Sequence, residues 1–171
     1  MGSRAIHARH GACGSLLSVL VALLLSGVLP ARAAGPQHET VWVTFPDHEV
    51  RLVAELVDTR AERYRGLAGR DGLAEGHGML FVYEHEKQIG IWMKGMRFPI
   101  DILWFDRNYR LVSAARNVEP GSYPAVYRPD EPARYVLEVG AGFLAQHNIV
   151  PGDRIVVSQA LPNRESTTIS P

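Results

Sequence analysis

The residues of this 171-residue chain best suited to chemistry are carboxylates set in apolar strands. In Pro99-Ile100-Asp101-Ile102-Leu103-Trp104-Phe105, Ile100, Ile102 and Trp104 alternate with Asp101, Leu103 and Phe105. Both sets are apolar apart from Asp101, so the spacing predicts a central strand covered on both faces, with Asp101 inside. A buried carboxylate must be paired, hydrogen-bonded or protonated, because desolvating its charge alone costs several kcal/mol. Two readings stay open: a general acid, general base or ligand anchor, or a structural group tied to an arginine. Glu138 repeats the situation in Tyr135-Val136-Leu137-Glu138-Val139, where it shares a face with Val136. On neighbouring strands the two carboxyls could form an acid/base pair, or each could hold an arginine in place.

Arg63 and Arg70 are the expected partners, since they flank Gly66-Leu67 next to a predicted helix. Guanidinium forks match carboxylates and phosphates in bidentate geometry. The pair either pins the helix to Asp101 and Glu138 or binds an anionic ligand. His77 stands between Gly76 and Gly78, where it could move a proton near neutral pH or simply be solvated. Glu84-His85-Glu86 reads as a turn and has no second histidine at ligand spacing, so no metal site is expected. In Ile91-Trp92-Met93-Lys94, Trp92 and Lys94 share one face. They are either an aromatic platform with a cation beside a ligand groove, or a core tryptophan and an exposed strand end. No nucleophile-elbow, P-loop, dinucleotide or zinc-protease signature occurs, and no cofactor is expected.

The elements that must position these groups are mostly strands. The pattern predicts strands over 41–45, 49–57, 79–83, 88–94, 99–105, 110–117, 134–139 and 154–158. Thr59 and Glu62 have capping-box spacing at the start of a helix that Gly66 or Gly69 stops. A second short helix is expected over 141–147, and a hairpin turn at Asp106-Arg107-Asn108. Residues 119–133, with four prolines, read as a long irregular loop. The expected fold is one mostly β domain over 40–159 with short helices on one side. Its sheet is curved and antiparallel, or a small barrel.

Residues 1–33 read as a cleavable signal peptide: a basic start, an apolar run from Leu16 to Leu29, then Ala31-Arg32-Ala33. Residues 34–39 read as a leader and 160–171 as a disordered tail. Cutting after Ala33 leaves 138 residues and removes Cys13, the only cysteine. Thiol chemistry and disulfides are then excluded from the mature chain. Eighteen Lys and Arg, less Arg4, Arg9 and Arg32, leave fifteen against eighteen acids, a balance of −3. A basic nucleic-acid footprint is absent, and no second apolar stretch could span a membrane.

Five blocks in order carry a resemblance. They are Arg63-x-x-Gly66-Leu67-x-x-Arg70, Gly78-Met79-Leu80-Phe81, Trp92-Met93, Pro99-Ile100-Asp101 and Leu137-Glu138-x-x-x-Gly142. Together they resemble the family called domain of unknown function one-ninety-two, over Val50 to Val157. The resemblance implies a small, compact, mainly β protein, often exported or anchored, and carries no established activity. Arg63, Arg70, Trp92, Asp101 and Glu138 fall on the motif positions. Gly95 departs from the pattern, which commonly carries Asn there.

The expected function is an exported, periplasmic or secreted domain that binds a small polar or glycan-like ligand or an envelope partner. Arg63, Arg70, Trp92, Lys94 and Asp101 are the expected binding residues. The groove is expected between the glycine loop, the Trp92 strand and the proline-rich loop. The alternative is an envelope hydrolase or lyase using Asp101 or Glu138 with His77.

Overall fold

A computed structural model describes residues 39–159. The segments read as signal, leader up to residue 38 and tail lie outside the described residues. Nine strands and two short helices follow in order: β1 (Thr40–Phe45), β2 (Val50–Val57), α1 (Arg60–Arg65), β3 (His77–Lys87), β4 (Ile91–Trp92), β5 (Ile100–Phe105), β6 (Leu111–Val118), β7 (Val126–Tyr127), β8 (Ala133–Gly140), α2 (Phe143–Gln146) and β9 (Val156–Gln159). Seven of the strands form one sheet in the order β6-β5-β8-β3-β2-β1-β9, and β4 pairs with β7 in a separate ribbon.

The sheet is mixed and open, which corrects the expectation of an antiparallel sheet or barrel. β2 and β3 run parallel, with Glu55 beside Met79 and Leu56 beside Leu80. Parallel neighbours need a crossover rather than a tight turn, and α1 lies on that crossover. Thr59 forms the full capping box with Glu62. The helix stops at Gly66, whose φ is +49°. In the antiparallel hairpin of β5 and β6, the Asp106 carboxylate accepts from the backbone N–H groups of Asn108 and Arg110 at 2.8 and 2.9 Å.

β5 is buried at every position because it lies inside the sheet with both faces covered. One face carries Met79, Phe81, Ile100, Ile102, Trp104 and Val136, packed under Leu67 and Met93. The other carries Leu52, Leu80, Leu103, Phe105 and Leu137, packed under Leu144 and Ile149. The chain after α1 therefore covers one face and α2 the other, rather than both helices lying on one side.

Two sequence boundaries moved. The predicted strand over 88–94 shrinks to Ile91–Trp92. Gly95, with φ +73°, turns the chain away just beyond it. Asn is the other residue that tolerates this region well, so the Asn that the resemblance implies at this position would fit the same turn. Glu84-His85-Glu86, expected as a turn, lies within the long strand β3.

Gly78 sits where β3 runs tight against β8. A Cβ there would stand 2.9 Å from the carbonyl oxygen of Glu138 and 3.0 Å from a Leu52 methyl. Backbone oxygen cannot yield as a side chain can, so Gly78→Ala must push two central strands apart. The expected cost is about 1–3 kcal/mol, read as a lower denaturant midpoint; an unchanged midpoint would show that the sheet absorbs a methyl freely.

Candidate functional site

Asp101 and Glu138 lie on adjacent strands but on opposite faces of the sheet. Glu138 pairs in register with Ile102, and Asp101 with Val139. Ile102 and Val136 belong to one core layer, Leu103 and Val139 to the other. The two carboxyls therefore form no acid/base pair.

Asp101 is 1% exposed, and both of its oxygens are taken by backbone. Oδ1 accepts from the N–H of Asn117 at 2.7 Å, and Oδ2 from the N–H of Leu144 at 2.9 Å. The first bond fills a bulge: β6 sets Arg116 and Asn117 against Asp101 alone, and Asn117 has φ +49°. The second satisfies the start of α2, whose own N-cap, Gly142, offers no side chain. The expected arginine partner is replaced by two amides, and Asp101 acts as a stitch between β5, β6 and α2.

The arginines are committed elsewhere. Arg63 donates from one nitrogen to the carbonyls of Asp58 and of Val82, the latter at 2.9 Å. Its guanidinium lies over the Tyr83 ring, 4.6 Å from the centroid. Arg70 makes a bidentate pair with Glu55, one arm at 2.7 Å. Both arginines pin the crossover to the sheet, through carbonyls and Glu55 rather than through Asp101 and Glu138.

Glu138 is different. It is 5% exposed, and among the described residues no hydrogen bond reaches its carboxyl. Burial pushes its pKa up to about 8, against a smaller opposing pull from Arg70. It faces a cavity of about 370 Å³ bounded by α1, β3 and β4. Five cations line this cavity: Arg60, Arg63, Arg65, Lys87 and Lys94. Tyr64 and Trp92 stand at the same wall, their rings edge-on at 5.8 Å. They are 62% and 42% exposed. Lys94 donates to the Tyr64 hydroxyl at 3.1 Å, a bond that raises its pKa.

Arg63, Trp92 and Lys94 thus meet at one cavity, with Glu138 among them. Asp101 lies on the far face, and Arg70 touches the cavity only through its field on Glu138. His77 lines a second cavity of about 430 Å³ with Glu75 and His147. Its ring Nδ1 lies 2.9 Å from the Glu75 carbonyl oxygen. The glycine loop therefore borders a different cavity from the Trp92 strand, which corrects the expected groove. His77 and Glu138 do not share a cavity. No cluster of metal-ligating side chains forms among the described residues, and no helix among them is long and apolar enough to cross a membrane.

Sequence reasoning named Arg63 and Lys94 at this cavity but missed Tyr64, Arg60, Arg65 and Lys87. The signal was in Arg60-Ala-Glu-Arg63-Tyr64-Arg65, a helix that buries no residue. A helix that adds nothing to the core is free to furnish a cavity wall.

Comparison with known proteins agrees with the fold. The family model of DUF192, described as uncharacterized ACR, matches residues 42–157. A UPF0127 protein of Thermococcus gammatolerans is 32% identical over 103 residues, covering 59% of this chain and 63% of the relative. The match thus spans less than two thirds of that relative's length. A crystal structure from Sinorhizobium meliloti, described as a candidate transcription regulator, superposes with TM-score 0.64 at 31% identity. It covers 70% of this chain and 92% of its own. A Novosphingobium aromaticivorans protein of unknown function superposes with TM-score 0.62 at 29% identity, covering 72% and 94%. With five ordered motif blocks, the mixed sheet and a family match over most of its length, this chain belongs to the DUF192 family.

Proposed function

We propose that the chain is an exported binding module for a small polar, glycan-like ligand, held in the cavity between α1, β3 and β4. The observation that carries this reading is Glu138. Its buried carboxyl is costly and without a hydrogen bond among the described residues, yet it faces a cavity edged by two exposed aromatic rings. No fully buried side-chain oxygen or nitrogen among the described residues lacks a partner, so the Glu138 carboxyl opens onto the cavity, where a bound ligand would supply its hydrogen bond. Exposed aromatic rings offer apolar faces with polar edges, which suit a sugar ring. At about 370 Å³ the cavity is near the lower end of the roughly 300–1,000 Å³ typical of ligand sites.

Trp92→Ala is the direct test. Native mass spectrometry of the domain purified from its own envelope is expected to show a bound mass that the variant loses. Affinity should fall at least about tenfold, with stability changed by no more than about 0.5–1 kcal/mol, as for an exposed side chain. A bound mass retained in Trp92→Ala would place the ligand elsewhere.

Export rests on the three-part pattern of residues 1–33. The exported chain is expected to begin at Ala34. An exported fraction that still begins at Met1 would make this segment an anchor instead.

A further inference from the structure

The cavity that we propose as the binding site is strongly one-sided in charge. Five cations line it, and Glu138 is its only acidic side chain. Among the described residues, the ion pairs are His48 with Asp153, Arg70 with Glu55, Arg97 with Asp71 and Arg107 with Glu86. None of the five cavity cations takes part in them. Lys94 is held over the wall by Tyr64, with its ammonium 5.6 Å from the Tyr64 ring centre and 5.9 Å from that of Trp92. Arg63 and Lys87 both lie over the Tyr83 ring, each at 4.6 Å. The aromatic rings thus hold positive charge at the cavity edge, outside these ion pairs of the described residues.

We infer that the ligand is an acidic saccharide, its sugar face on Trp92 and its carboxylate held by the cavity cations and by a hydrogen bond from the Glu138 carboxyl. The inference rests on the binding reading above and names its ligand class. Glu138 becomes the specificity-determining residue, because only a neutral carboxyl can donate to an anion. Burial pushes its pKa up to about 8 and so favours the neutral, donating form on the acid side of that value.

The groups around Glu138 do not alter that sign. Arg63 lines the same cavity from α1, and Arg70, paired with Glu55 of β2, pulls the Glu138 pKa down by less than burial raises it. Tyr83 and Lys87 of β3 and Lys94 beyond β4 line the same cavity. On β5 its neighbour in register is the apolar Ile102. When pH rises through the Glu138 pKa, a negative charge appears on the cavity floor and repels an anionic ligand. A uronate stays ionised throughout this range, so its binding must weaken on the alkaline side.

The experiment titrates the mature domain with matched sugar pairs that differ only in the carboxylate: glucuronate and glucose, galacturonate and galactose, mannuronate and mannose. Chemical shifts of the Trp92 indole N–H report occupancy at pH 6 and pH 9. At least one uronate is expected to bind at least about tenfold more tightly than its neutral partner at pH 6, as charge-assisted bonds require. Its affinity should fall about tenfold by pH 9. Glu138→Gln, a permanent donor, should flatten that pH dependence. Lys94→Gln should weaken the uronate by a larger factor than its neutral partner and so narrow the gap between them, an arm that does not depend on Glu138→Gln folding normally. Neutral sugars binding as tightly as their uronates would overturn the acidic-ligand inference and leave the binding module standing. If no sugar moved the Trp92 signal, both readings would fall together. Uronate binding that did not change with pH would remove Glu138 from the recognition.

Discussion

Glu138→Gln is expected to stabilise the protein at pH 8 and to change it little near pH 4. Burial raises the Glu138 pKa from about 4.5 to about 8 in the folded chain. The folded state therefore prefers the neutral carboxyl, and the unfolded state lets it ionise. Below the unfolded pKa both states hold the proton, and the side chain costs nothing extra. As pH rises from there to the folded pKa, ionisation favours the unfolded chain and stability falls. The loss is complete above about pH 8 and is on the order of 5 kcal/mol if the whole shift is expressed. Gln keeps the shape and the donor without the ionisation. Thermal melts of the two proteins across pH 4 to 9 should therefore diverge progressively on the alkaline side. Parallel curves would show that the carboxyl is ionised and solvated through the cavity. The expected divergence also measures what the fold gives up to keep an acid at this site. A residue that lowers stability at neutral pH without a structural bond is explained by function more readily than by architecture.

Period-2 alternation located both buried carboxyls in the sequence and assigned Ile100, Ile102 and Trp104 to one face and Leu103 and Phe105 to the other. The clusters in the folded core agree with that division. Burial follows from local pattern, but the identity of a partner does not. The groups that satisfy Asp101 are backbone amides sixteen and forty-three residues away, and every residue has such an amide. Arginines drew attention because their side chains are visible in a sequence, whereas amides are not. The opposite orientation of Asp101 and Glu138 depended on register between β5 and β8, which no single strand encodes. The parallel pairing of β2 and β3 was closer to hand, since a helix between two strands is the usual sign of a crossover. The cavity was the least legible feature. It is assembled from the polar helix α1, side chains of β3, the two-residue strand β4 and one side chain of β8, and it needs tertiary packing to bring them together.

Asp101→Asn is expected to be among the most damaging single changes in the domain, while leaving the chemistry of the Glu138 cavity intact. The wild-type carboxylate accepts from two backbone donors at 2.7 and 2.9 Å in a site that is 1% exposed. An amide in the same rotamer offers one oxygen and turns its NH2 group toward the other N–H. One donor then loses its partner and meets a second donor. Hydrogen bonds to charged groups contribute about 1.5–3 kcal/mol each, and an orphaned buried N–H adds its own desolvation cost. The total loss should be on the order of 3–5 kcal/mol, a large fraction of the stability of a small domain. It should appear first at two places far apart in sequence: the bulge at Asn117 and the first turn of α2 at Leu144. Amide hydrogen exchange can resolve these two sites from the rest of the sheet. Faster exchange at both, in a variant that still binds its ligand at low temperature, is the expected result. Loss of binding at a temperature where the variant remains folded would instead link the stitch on one face of the sheet to the cavity on the other. Glu138 and Asp101 would then be coupled through the β5–β8 pairing that keeps them apart, and the family's Pro-Ile-Asp motif would belong to the site as well as to the fold.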